Sequence, residues 1–108
     1  MSESEAQFQA AVIDLAHSQG WVVFHARTSR TSSGAYVTAV AGDGVGFPDL
    51  VLVRDSVLFR ELKSDTGRLS PAQRGWGDRL TAAGADYAIW RAQDWNVIVK
   101  ELLREKAA

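Results

Sequence analysis

At 108 residues, the chain has the length of one compact domain, and its 46 % hydrophobic content can build a core without metal or disulfide staples. The absence of cysteine excludes disulfides, thiolate nucleophiles and cysteine-based zinc sites. A net charge of −1 argues against holding nucleic acid by overall basicity, although a local positive surface remains compatible with it. Arg27 and Arg30 flank one segment, and Lys63, Arg68, Arg74 and Arg79 fall in a single run. With no signal-peptide pattern at its start and no apolar stretch of membrane-spanning length, the expectation is a soluble protein of a reducing cytoplasm.

The first predicted element is a helix from Glu3 to Gln19, because Phe8, Val12, Leu15 and Ala16 recur at helical spacing in one apolar stripe. Ser2 and Glu5 stand at capping-box spacing, and Gly20 is a natural stop. Trp21 to Ala26, aromatic and β-branched, predicts a strand. From Arg27 to Phe47 the composition turns to Thr, Ser, Gly and Ala, which predicts a long flexible loop with a brief extended piece at Tyr36 to Val40. The glycines of its last part, Gly42, Gly44 and Gly46, lack the lysine and following helix of a phosphate-binding loop and read as flexibility.

Pro48 introduces two apolar runs, Leu50 to Val53 and Val57 to Lys63, separated by a tight turn at Arg54, Asp55 and Ser56. The first run is apolar on both faces, as in a strand buried within a sheet. Ser70, Pro71 and Gln73 spell a helix start with cap, first-turn proline and capping-box glutamine, and that helix is expected to run to Ala83 and stop at Gly84. Gln73, Trp76 and Leu80 share one of its faces, which should pack on the sheet. Tyr87 to Arg91 predicts a further strand. Asp94 is expected to cap a last helix that buries Trp95, Ile98, Val99, Leu102 and Leu103. The order αβββαβα implies an α/β fold, one mixed sheet flanked by helices.

Two carboxylates, Asp49 and Glu61, sit on what should be adjacent strands, with Lys63 two places after Glu61 and so on the same face. Asp49 joins them only under one register. A three-residue loop sets Val53 opposite Val57 and Asp49 opposite Glu61, whereas a two-residue turn sends Glu61 to the other side. On one face, two hard carboxylate oxygens with the Leu62 carbonyl would suit Mg²⁺, and Lys63 would orient an attacking water or neutralise a phosphorane-like transition state. A strand Glu followed by Lys is more often a solvated face. Here the pair ends an apolar strand, where buried carboxylates call for a cationic partner. His17 and His25 are far apart and carry no ligand or nucleophile motif. The four tryptophans, Trp21, Trp76, Trp90 and Trp95, lie on periodic apolar faces and read as core before base-stacking platforms.

Gly46-Phe47-Pro48-Asp49 followed by Glu61-Leu62-Lys63 resembles the PD-(D/E)xK nuclease superfamily, and Leu69-Ser70-Pro71-Ala72-Gln73, then Trp76, Leu80 and Gly84, resembles its VRR-NUC branch. Glu5 and Gln9, with the Gly20-Trp21 helix exit, are similar to that branch's first helix; the segment from Arg27 to Val45 departs from it in length and Gly/Ser content. The resemblance implies a restriction-endonuclease-like fold and metal-dependent hydrolysis of DNA phosphodiesters. It implies Asp49 and Glu61 as ligands of Mg²⁺, with Mn²⁺ able to substitute, and Lys63 as the catalytic lysine. Glu5 would be a supporting acid near the metal, directly or through water, and Gln73 would face the site; either residue can also serve only its capping box. Arg27, Arg30, Arg68 and Arg74 are the candidates for phosphate contacts. Stand-alone domains of this size resemble phage and bacterial members acting on branched DNA such as four-way junctions, for which a homodimer is expected. The alternatives are a nuclease for flaps or nicks, a catalytically silent DNA-binding module of the same fold, and a subunit that needs a partner protein.

Overall fold

The computed structural model describes residues 5–26, 29–30, 36–37 and 42–106. Its elements run α1 (Glu5–Ser18), β1 (Val22–His25), β2 (Ser29–Arg30), β3 (Tyr36–Val37), β4 (Leu50–Val53), β5 (Val57–Lys63), α2 (Pro71–Ala82), β6 (Asp86–Arg91), a 3₁₀ turn (Ala92–Asp94) and α3 (Trp95–Leu102). Four strands form the main sheet in the order β1-β4-β5-β6, antiparallel except for the parallel pair of β5 with β6. The parallel step is the one bridged by α2, since a parallel crossover needs a long connection. This is the expected α/β architecture with a mixed sheet. Inside the span expected as loop, β2 and β3 pair with each other as a short antiparallel ribbon. Ser2, Glu3, Arg27 and the 38–40 part of the extended piece lie outside the described residues.

Side-chain alternation divides the sheet into two faces. Leu50, Leu52, Leu58 and Leu62 point to one face, where they meet Phe8, Val12 and Ala16 of α1 and Ile98 and Leu102 of α3 in a single core cluster. The helical stripe read from the sequence is thus the face of α1 that is buried. Trp21 closes the far end of this core: its indole N–H donates to the carbonyl of Leu102 at 3.0 Å, and the guanidinium of Arg54 lies 4.5 Å from its ring.

Arg60 occupies the same core-facing row and is only 1 % exposed. Its guanidinium is met on every side. It pairs with Asp86 at 2.9 Å and Glu101 at 2.7 Å, donates to the Asp86 carbonyl at 2.7 Å and lies over the Trp90 ring.

The opposite face carries Val51, Phe59, Glu61, Lys63, Tyr87 and Ile89, and α2 packs on it, with Phe47 against Phe59. Ser70 caps α2 as expected, its hydroxyl accepting from the Gln73 backbone amide at 3.1 Å while the Gln73 side-chain Oε1 accepts from the Ser70 backbone amide at 2.8 Å. Gly77 is the buried residue of this helix, and it lies against Tyr87: a Cβ there would stand 2.7 Å from the ring. Trp76 donates to the Asp43 carbonyl at 3.0 Å and packs edge-on against Phe47, whose ring meets Phe59 of the sheet.

Two expectations for α3 are corrected. Asp94 precedes the helix but makes no side-chain cap, because its carboxylate accepts from the Arg91 amide at 2.9 Å and closes the 3₁₀ turn. The buried face is narrower than the apolar pattern, since Ile98 and Leu102 are fully covered while Trp95 and Leu103 remain 36 % and 46 % exposed.

Candidate active site

The turn between β4 and β5 decides whether the carboxylates meet. Val53 pairs with Val57 across Arg54, Asp55 and Ser56, and the Arg54 amide donates to the Ser56 carbonyl at 3.1 Å. The ladder continues from there to Leu50 opposite Arg60. The next step brings Asp49, just before β4, level with Glu61, which is the register the active-site reading requires.

Asp49 is fixed at this point by local packing. Its Oδ2 accepts a hydrogen bond from the Leu62 amide at 2.8 Å. Pro48 is buried, and the Phe47 ring packs edge-on against Phe59 at 6.1 Å and Trp76 at 5.0 Å. Gly46 makes that approach possible. It adopts φ +86°, and a Cβ on it would stand 2.6 Å from the Ala72 backbone, so only glycine lets the chain pass α2 here. The sequence reading took this glycine for flexibility; its role is close contact.

Glu61 is the centre of the arrangement. It is 2 % exposed, its Oε2 accepts from Gln73 Nε2 at 2.8 Å, and the Lys63 ammonium stands 3.9 Å from the same oxygen. Its Oε1 is buried without any hydrogen-bond partner among the described residues. Burial first, and then the negative charge of Asp49, push the Glu61 carboxyl up from 4.5 to about 8, against the pull of Lys63. Burial and the charges of Glu61, Asp78 and Asp49 also raise the Tyr87 hydroxyl above its ordinary value, so the negative potential reaches β6.

These features fit a hard divalent cation. An acid that is buried, missing one partner and pressed by a second carboxylate is the acid such an ion would ionise and satisfy. Among the described residues no three of His, Cys, Asp and Glu gather into a metal-binding group. Asp49 and Glu61 would therefore need the Leu62 carbonyl and water to complete a coordination shell, an arrangement suited to Mg²⁺, which keeps several of its waters.

Of the sequence-predicted residues, Asp49, Glu61, Lys63 and Gln73 are brought together, and Gln73 serves its capping box and Glu61 at once. Glu5 lies at the end of β5, where its Oε1 accepts from the Ser64 amide at 3.2 Å. Arg68 and Arg74 are solvent-exposed, in the β5–α2 connection and on α2. Arg27 and the side chain of Arg30 lie outside the described residues. Sequence reasoning missed Tyr87 and Arg91. Both lie on the strand it predicted, and pairing β6 with β5 would have set Arg91 level with Lys63.

A family model described as the VRR-NUC domain matches residues 3–94. Comparison with curated proteins and with solved structures gives no match. No helix among the described residues is long and apolar enough to cross a membrane. With the match spanning the first helix, the Asp49, Glu61 and Lys63 strands and the Gln73 helix, the chain belongs to the VRR-NUC family, nuclease domains of the restriction-endonuclease-like superfamily.

Proposed function

We propose that this nuclease domain is a Mg²⁺-dependent DNA endonuclease, with Mn²⁺ able to substitute, that acts on branched DNA such as four-way junctions as a homodimer. The observation that carries the metal-dependent reading is Glu61, a nearly sealed carboxylate with an orphaned oxygen beside Asp49 and Lys63. In this reading Asp49, Glu61 and the Leu62 carbonyl hold the ion. When bound, the ion supplies Lewis-acid charge against the scissile phosphate and a water of lowered pKa. Gln73 keeps the Glu61 carboxylate oriented through its amide. Lys63 presents its ammonium beside the reacting phosphate, where it orients the attacking water or neutralises charge developing on the phosphoryl oxygens. Glu5 supports the centre from the Ser64 amide. Arg68 and Arg74, together with Arg27 and Arg30, supply phosphate contacts, local basicity within a chain of net charge −1.

Branched substrates and the homodimer rest on the family resemblance alone. A two-fold pair of sites matches the symmetry of a junction. The deciding experiment compares a four-way junction, a flap and a continuous duplex, with Mg²⁺ and with chelator. Paired, metal-dependent nicks in the junction are expected. Preferential cutting of the flap or nick would replace the substrate assignment, and junction binding without cutting in Mg²⁺ or Mn²⁺ would leave a silent DNA-binding module.

A further inference from the structure

Lys63 ends β5, and the chain turns at once through Ser64 to Gly67, closed by the Gly67 amide donating to the Ser64 carbonyl at 3.2 Å. This turn folds back on the lysine itself: a Cβ on Gly67 would lie 3.4 Å from Lys63 Cδ and 2.8 Å from the Ser64 hydroxyl. It is also tied to three other elements. Glu5 of α1 accepts from the Ser64 amide, and Asp65 accepts from the Gln93 amide at 2.9 Å. Arg91, level with Lys63 in the β5–β6 ladder, donates from its Nη1 to both the Ser64 carbonyl at 2.5 Å and the Gly67 carbonyl at 2.7 Å.

A free lysine side chain carries considerable rotamer freedom, and a 3.9 Å pairing with Glu61 on the same strand leaves the four-carbon stem unfixed. The wall along its stem is the Ser64–Gly67 turn, and Arg91 holds the carbonyls at the two ends of that turn. We propose that Arg91 is a positioning residue for Lys63: by bridging the Ser64 and Gly67 carbonyls it fixes the turn that aims the ammonium at the reacting phosphate. Its effect on cleavage rests on the nuclease reading above; its hold on the turn does not.

The test uses Arg91→Ala, Arg91→Lys, Lys63→Ala and the double variant Lys63→Ala with Arg91→Ala. It measures single-turnover cleavage of a four-way junction in Mg²⁺, junction affinity across salt concentrations, and amide hydrogen exchange over 64–67. Arg91→Ala is expected to slow cleavage about ten- to a hundred-fold, the usual cost of losing a supporting contact, with junction affinity and its salt dependence unchanged. Arg91→Lys should recover most of the rate, because both bonds leave from one nitrogen, which an ammonium can replace. In the Lys63→Ala background, Arg91→Ala should cost nothing further. Exchange over 64–67 should quicken in Arg91→Ala and return to the wild-type rate in Arg91→Lys.

A full additional loss in the Lys63→Ala background would overturn the proposal, as a role independent of the lysine. Weakened junction binding with a shallower salt dependence would overturn it as well, in favour of a phosphate contact. If the wild-type chain cuts none of these DNAs, the nuclease reading fails, and the exchange result still decides: unchanged exchange in Arg91→Ala refutes the brace.

Discussion

Arg60 and Glu61 are neighbours on β5, both ionisable, and almost equally sealed from solvent at 1 % and 2 % exposure, yet they point to opposite faces of the sheet and live in opposite circumstances. Facing the α1–α3 core, Arg60 has its guanidinium answered by Asp86, Glu101 and two backbone carbonyls. Glu61, facing α2, has one oxygen held by Gln73 and the other without a hydrogen-bond partner among the described residues, with the Asp49 carboxylate pressing on it. A buried charge that is fully satisfied is part of the architecture; one left short of a partner marks a place built to receive something. Burial alone does not separate the two cases, but the hydrogen-bond inventory does.

Substitution should separate them most sharply. Glu61→Gln keeps the side chain's shape and its bond to Gln73, so it should lower cleavage by about a thousand-fold or more while leaving thermal stability equal or improved. Arg60→Met should do the reverse. Losing one partner of a buried ion pair costs about 3–5 kcal/mol when both partners are sealed. Asp86 is 51 % and Glu101 28 % exposed, so about 2–4 kcal/mol is expected here, with the single-turnover rate preserved in the folded fraction. Chemical denaturation and single-turnover cleavage of both variants check this. A rate loss in Arg60→Met equal to that of Glu61→Gln would erase the distinction.

Lys63→Ala should reduce cleavage by about a hundred-fold, with metal still bound, if the ammonium acts on the phosphate as proposed and is not a ligand. The measurement is cleavage rate against Mn²⁺ affinity in the same variant.

The pH dependence of stability follows from Glu61. Burial and the Asp49 charge push its carboxyl up to about 8 in the fold from an ordinary 4.5, so between those values the folded chain binds the proton more tightly than the unfolded chain. Its contribution to stability is fully present below about pH 4.5 and is lost as pH rises through about 8. Denaturation midpoints of the metal-free protein should fall across that window, and Glu61→Gln should remove this component of the slope. Metal should reverse the trend, since the ion binds the deprotonated acid.

Gln73→Ala should have the smallest effect. It removes half of the capping box and the contact to Glu61, at about 1 kcal/mol of stability, with a modest rate loss from a less fixed carboxylate. Thermal melts and cleavage rates measure the two parts separately.

How much of this was legible in the sequence depends on the range of the interaction. The site residues were readable because each sits in a short local pattern: Pro48-Asp49 at a strand entry, Glu61 and Lys63 two apart on one strand, and Ser70 to Gln73 as a capping box. The register of Asp49 with Glu61 was readable too, because it depends only on the parity of one turn. Arg60 escaped notice because its partners lie 26 and 41 residues away, and no local pattern announces them. Arg91 escaped for the same reason, its bonds spanning the β5–α2–β6 crossover to a turn 24 to 27 residues earlier. The exposed Trp95 and Leu103 show the limit of periodicity: it finds the apolar stripe of α3 but not how much of it the sheet is wide enough to cover.

The central claim is that Asp49 and Glu61 together hold a divalent metal. Titration of the free protein with Mn²⁺, followed by electron paramagnetic resonance, tests it most directly when wild type, Asp49→Ala and Glu61→Gln are compared above pH 8, where Glu61 is ionised. Saturable binding in the wild type that disappears in both variants is the predicted result. Equal Mn²⁺ binding in Glu61→Gln and wild type would contradict the account.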